Sequence, residues 1–196
     1  MTTPRSISRI VPDTEALKAL THPVRVRMLG LLRMEGPATA TALAARLGLN
    51  SGDTSYHLRQ LARHGFIEED EGRGTRRDRW WKARHETTSV DTAHAQGAAL
   101  EAGLAFTQAA LSGQVAQMQR AVEGYSQLSP DWRAASDMSD FTMPLTADAA
   151  RALTERIGAL LWEAMAAAPK LGDPLPEGVR PFTVMLHSFP MQDPSK

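Results

Sequence analysis

Cysteine is absent from this chain of 196 residues. Its absence excludes disulfides, thiolate metal sites and cysteine nucleophiles together. No run of about 18 apolar residues occurs, so no segment reads as spanning a membrane. The opening stretch, MTTPRSISRIVPDTEALKAL, has no apolar core followed by a small-residue cleavage site. A cytoplasmic protein is therefore expected. No glycine-rich loop precedes a helix where it could cradle phosphate, because GRGTR lies between two strand-like segments. No elbow motif groups a serine with histidine and aspartate. Neither catalysis nor a cofactor is expected.

Net charge is also lacking, at +0, but the charges are not mixed evenly. Residues 1–85 hold 15 Lys and Arg against 9 Asp and Glu, a net of +6. Residues 86–196 hold 7 against 13, a net of −6. A basic half joined to an acidic half suits a nucleic-acid-binding module with a non-binding partner module. The content of hydrophobic residues, 42%, is enough for a core.

Residues 1–12 show no pattern and read as a loose arm. Asp13 is a good N-cap for a first helix over about 13–21, with Ala16, Leu17 and Leu20 inward. In THP at 21–23, Pro23 suits a first helical position and Thr21 or His22 can cap it. That second helix runs to about Met34 with Val24, Met28, Leu31 and Leu32 inward, and Gly36-Pro37 ends it. A third helix over about 39–47 carries Ala40, Leu43, Ala44 and Leu47 at helical spacing.

The fourth helix begins at Asn50, where Asn50 and Asp53 form a variant capping box. Thr54, Leu58, Leu61 and Gly65 fall on one stripe that must face the third helix. The opposite face then carries Gly52, Tyr56, Arg59 and Arg63, with Ser55 and Gln60 beside it. That face is small at its start and basic toward its end, which suits insertion into a groove. FIEED and RDRWWKA read as two strands around EGRGTR, with Arg73 at the tip and Arg76, Arg77 and Arg79 flanking it. Alternation sends Trp80 and Trp81 to opposite faces, one into the core.

From about Thr92 the pattern changes. Gly97, Leu100, Leu104, Thr107, Leu111, Val115, Met118, Val122 and Tyr125 are spaced by three or four throughout. The seam fits one long helix, or two with a break near Ser112-Gly113. The small winged domain cannot bury it, so a second copy is the economical partner, and Leu100, Leu104, Leu111, Val115, Met118 and Val122 are the candidate dimer interface. Farther on, SDFTMPL at 139–145 and FTVMLHSF at 182–189 have strand character around an amphipathic helix over about 147–167. In that helix Ala150, Leu153, Ile157, Leu160, Leu161 and Ala164 are expected inward. The aromatics and methionines of this region, Trp132, Phe141, Met143, Trp162, Met165, Phe182, Met185 and Phe189, read first as the core of a small unit. They are also the candidate lining of a pocket for a small-molecule effector.

The expected fold is mainly α with small β: a winged helix-turn-helix at 1–85, a long helical dimerisation segment at 86–130, and a C-terminal strand-helix-strand α+β unit at 131–196. LTHPVRVRMLGLL, ATALAARLGLN, TSYHLRQLARHGFIEE and GRGTRRDRWWKA together resemble the winged helix-turn-helix regulators of the ArsR-like group, over about residues 13–85. The downstream half is similar to the long-helix and α+β tail of some regulators in this group.

The resemblance implies a homodimeric transcription factor, usually a repressor, on a pseudo-palindromic site in double-stranded DNA. In that setting Ser51, Gly52, Ser55 and Tyr56 meet base edges, and Arg59 and Gln60 read a base or hold a phosphate. Arg63 belongs to the same face, Arg73 reaches the flanking minor groove, and Arg76, Arg77 and Arg79 meet phosphates. His22 and Arg25 hold the backbone. The group also often senses metals, and here this chain departs. TATALAARLG has no cysteine, and Asp91 and His94 are followed by no second His-plus-acid pair. No metal site is expected, and His57 and His64 read as packing or phosphate contacts. The alternative reading is a winged-helix protein-interaction or ligand-sensing module without a metal.

Overall fold

The computed structural model describes residues 4–73 and 79–191. Side-chain caps open its N-terminal helices. Asp13 Oδ1 accepts from the Ala16 N–H at 2.8 Å and starts α1 (Thr14–Ala19). His22, rather than Thr21, caps α2 (Pro23–Met34): its Nδ1 accepts from the Val24 N–H at 3.2 Å, with Pro23 in the first turn. Thr39 caps α3 (Ala40–Leu47), which Gly48 closes at φ +67. Asn50 caps α4 (Ser51–Arg63), accepting from the Asp53 N–H at 2.8 Å and donating to the Asp53 carboxylate at 2.6 Å.

The expected stripe of α4 does face inward. Thr54, Leu58 and Leu61 are fully buried, and the Thr54 hydroxyl donates to the Asn50 carbonyl at 2.9 Å, so burial leaves it satisfied. Leu58 and Leu61 join Leu20, Met28, Leu29, Leu32, Leu43, Phe66 and Ile67 in one core. Trp81 completes it, while Trp80 beside it is half-buried, as strand alternation requires.

The wing is larger than a hairpin. Strands β2 (Ala38–Thr39), β3 (Ile67–Glu69) and β4 (Trp80–Ala83) form an antiparallel sheet with β4 in the centre. Ala38 lies opposite Trp81, and Ile67 opposite Ala83. The N-terminal arm is not loose along its whole length. Arg9–Ile10 (β1) pair in parallel with Thr87–Thr88 (β5), and the N–H groups of Glu86 and Thr87 donate to the Ser8 carbonyl. These bonds join segments nearly eighty residues apart, so no local pattern announces them.

Beyond the wing, α5 (Gly97–Gly124) is one unbroken helix through Ser112-Gly113, about 42 Å long at 1.5 Å per residue. Its first half packs on α1 and α2, with Ala102, Phe106 and Ala109 turned inward. Gly103 instead lets the segment before α5 fold back on the helix, because a Cβ would stand 2.7 Å from Thr92 Cγ2. Then come α6 (Pro130–Ala135) and α7 (Ala147–Ala167), which Thr146 caps.

The expected strand-helix-strand unit does not form among the described residues. Segments 139–145 and 182–189 carry no strand, and α7 buries none of its residues completely. Leu160 and Ala164, expected inward, are exposed. A strand is held by ladder bonds to a neighbour; these two segments have apolar alternation but no such neighbour. Phe141 and Phe189 consequently lie open to solvent. The class stands as mainly α with small β, the β content belonging to the winged half. No described helix is long and apolar enough to cross a membrane.

Candidate nucleic-acid interface

Burial of Thr54, Leu58 and Leu61 fixes which side of α4 looks outward. Ser51, Gly52, Tyr56, Arg59 and Arg63 are exposed, with Ser55 and Gln60 at the margin. Tyr56 is 53% exposed although it is a large aromatic. The Ser55 hydroxyl donates to the Ser51 carbonyl at 2.8 Å, so its proton is engaged and its lone pairs remain available. Among the described residues Arg59 and Arg63 have no carboxylate within ion-pair distance. The outward face therefore presents small groups and an aromatic hydroxyl first, then unpaired guanidinium charge.

Two elements converge beside that face. The start of α2 brings His22 and Arg25 against His57 of α4. The two imidazole centroids are 4.5 Å apart, and Tyr56 meets His57 edge-on at 5.5 Å. His57 Nδ1 and Arg25 Nε are buried with no hydrogen-bond partner among the described residues. Burial first, then His22 and Arg25, push the His57 pKa below its usual 6.5, against an opposing pull from Asp53. Burial likewise lowers Arg25, opposed by Tyr56. The exposed His22 and the partly exposed guanidinium of Arg25 form a notch at the edge of this face that suits an anionic oxygen. His57 belongs to it. Expected from the sequence as a packing or phosphate contact, it packs here between His22 and Tyr56.

The wing is more neutral than its arginines suggest. Arg79 pairs with Glu69 at 3.0 Å and lies 5.6 Å over the Trp81 ring. Arg73 pairs with Asp70 at 3.3 Å and also borders a cavity on the side of the C-terminal segments. Lys82 and Arg84 both reach Glu68. Arg76 and Arg77 lie outside the described residues. His64 caps the end of α4 through its backbone.

The candidate dimer residues lie on α5 away from the face that packs on α1 and α2. Leu104 is 57% exposed and Val122 59%, with Val115 and Met118 also exposed and Leu100 and Leu111 half-buried. Asp91 and His94 sit in the loop before α5, where the Asp91 carboxylate accepts from the Ala93 N–H at 2.9 Å. Among the described residues no group of three His, Asp or Glu gathers where it could hold a metal ion.

No curated protein sequence matches the chain. Among solved structures, the chain is similar to a mutant of Lactococcus lactis ZitR in its apo form, at 12% identity and a TM-score of 0.33, over 74% of this chain and 83% of that one. Residues 20–70 match the family model described as a helix-turn-helix domain. The match spans α2, α3, α4 and β3, the elements whose packing turns the Tyr56 face outward, and this segment of the chain is a helix-turn-helix domain.

Proposed function

We propose that this protein is a sequence-specific, DNA-binding transcriptional regulator of the ArsR-like kind, acting in the cytoplasm and without catalysis. It works as a homodimeric repressor on a pseudo-palindromic site. The observation that carries the reading is the outward face of α4, which starts small and polar and ends in exposed arginines without an ion-pair partner among the described residues. In a helix-turn-helix the second helix lies in the major groove with its N-terminal turns deepest. Ser51, Gly52, Ser55 and Tyr56 then meet base edges, and Gln60 and Arg59 follow. Arg63, with His22 and Arg25 at the head of α2 and His57 beside them on α4, holds phosphates and so sets the register in which the bases are read. The exposed stripe of α5 supports a dimer in which two α4 helices address two half-sites.

The division of labour assigns 1–85 to DNA, 86–130 to dimerisation, and 131–196 to control. A second reading, ligand sensing by the C-terminal region, is favoured by a cavity between that region and the winged domain. A genome-wide map of bound DNA tests the main reading. Enrichment of one inverted-repeat motif is expected. Occupancy without a shared motif would overturn it in favour of a protein-interaction module.

A further inference from the structure

The C-terminal region is fastened to the winged domain at defined points. The Arg5 backbone N–H donates to the Ala166 carbonyl and its Nε to the Ala168 carbonyl, both at 3.0 Å. Gly36 and Gly172 meet backbone to backbone. A Cβ on Gly36 would stand 2.9 Å from the Gly172 carbonyl oxygen, and both glycines hold positive φ, +87 and +86. Such an approach admits no side chain on either partner. Behind these contacts lies a cavity of about 370 Å³, within the roughly 300–1,000 Å³ typical of small-molecule sites.

Its lining is apolar with an excess of positive charge. Leu32, Pro37, Met165, Leu171 and Phe182 supply the apolar wall. Arg33, Lys170 and Arg180 supply charge that no carboxylate within ion-pair distance offsets among the described residues. Arg5 is taken by Glu86, and Lys82 and Arg84 by Glu68. Asp173 is the other carboxylate of the lining.

Arg33 is the most telling of these residues. Its Nε donates to the His85 carbonyl and its Nη2 to the Thr88 hydroxyl, each at 2.8 Å, so both partners are neutral. Burial lowers its pKa to about 10. A desolvated guanidinium without a counter-charge is costly, and an anion brought into the cavity relieves that cost.

We propose that this cavity binds a small organic oxyanion joined to an apolar body, such as an aromatic carboxylate. Arg33, Lys170 and Arg180 hold the anionic group, and Phe182, Met165 and Leu171 cover the apolar part. This deepens the ligand-sensing reading above and rests on it. The site lies at the junction with the winged domain, where β4 and the end of α2 form one wall. An occupant there ties the wing to the C-terminal region and so couples to operator binding.

The test uses the full chain and aryl carboxylates of increasing size, benzoate, phenylacetate and indole-3-acetate, each against its neutral amide, with inorganic phosphate as the bare anion. Calorimetric titration without DNA is expected to give a Kd of about 1 mM or tighter for at least one carboxylate. Its amide and phosphate should each bind at least about tenfold more weakly. The exposed pair Lys170→Gln and Arg180→Gln, together, should lower carboxylate affinity about tenfold with an unchanged melting temperature. Arg33→Gln should also lower carboxylate affinity about tenfold, but it removes bonds that hold residues 85–88 and so lowers the melting temperature too; the double variant therefore carries the test. Equal binding of acid and amide, undiminished binding by the double variant, or no carboxylate binding would overturn the site. Binding that leaves operator affinity within about twofold would overturn the effector role alone. Loss of the operator interaction in the free protein would sink the regulator reading and leave the cavity result intact.

Discussion

Truncating the exposed stripe of α5 should break the assembly and spare the protomer. Leu104 and Val122 are 57% and 59% exposed in the single chain, so Leu104→Ala and Val122→Ala remove little that the protomer itself uses. Full burial of a Leu or Val side chain stabilises by about 1.5–3 kcal/mol relative to exposure. Slightly more than half of that surface remains to be buried at an interface, or about 1 kcal/mol per side chain. A two-fold interface counts each substitution twice, so each variant should weaken dimerisation by about 2 kcal/mol, roughly thirtyfold. Sedimentation equilibrium across a range of concentrations reads this directly. Wild type should run at twice 21.4 kDa at micromolar concentration, and the variants should shift toward one copy with unchanged melting of the dilute protein. A wild-type monomer, or variants that dimerise as tightly as wild type, would refute the assignment of this face.

The imidazoles of His57 and His85 both have folded-state pKa values pushed below 6.5. For His57 the causes are burial, His22 and Arg25 against Asp53; for His85 they are burial, Arg84 and Arg33 against Glu68. The unfolded chain therefore takes up protons first as pH falls, and stability should drop from about pH 6.5 downward through the folded values. Melting followed from about pH 7.5 to 5 should show this slope, and His57→Gln with His85→Gln should flatten it; an unchanged slope would contradict the burial assigned to these rings. Gly36→Ala should cost about 1 kcal/mol or more, since it meets both a closed backbone contact and a positive φ; a neutral melting curve would show that the Gly36–Gly172 approach is not made in solution. Operator affinity should be indifferent to EDTA and to added zinc, because cysteine is absent and Asp91 and His94 lack a second ligand pair; a tenfold change would place a metal in the mechanism.

The helix-turn-helix was legible because its determinants are local. The Asn50–Asp53 cap and the Thr54, Leu58, Leu61 stripe act within a few turns, so a pattern of spacing reports them. Strands β1, β2 and β5 were not legible, since two residues carry no period and their partners lie far along the chain. The C-terminal segments were misread for a different reason. Alternation in 139–145 and 182–189 identifies a face that needs a partner, and it does not supply one. Of the α5 stripe, Leu104, Val115, Met118 and Val122 are exposed and Leu100 and Leu111 half-buried, whereas the face that docks on α1 and α2, with Ala102 and Ala109, hid behind small side chains. Of the cavity, Met165 and Phe182 were among the candidate pocket residues, whereas Arg33, His85 and Lys170 line it from three separate segments that no local pattern joins.

Tyr56→Ala, titrated against operator and scrambled duplexes at several salt concentrations beside Arg63→Ala, tests the central assignment most directly. Tyr56 lies on the early outward face of α4, where contacts discriminate bases, and its loss should cost about 1–3 kcal/mol on the operator and little on scrambled DNA. Arg63, late on the same helix and without an ion-pair partner among the described residues, should when removed weaken both duplexes alike and reduce the salt slope by about one. Equal losses on both duplexes for Tyr56→Ala would mean that α4 holds DNA without reading it.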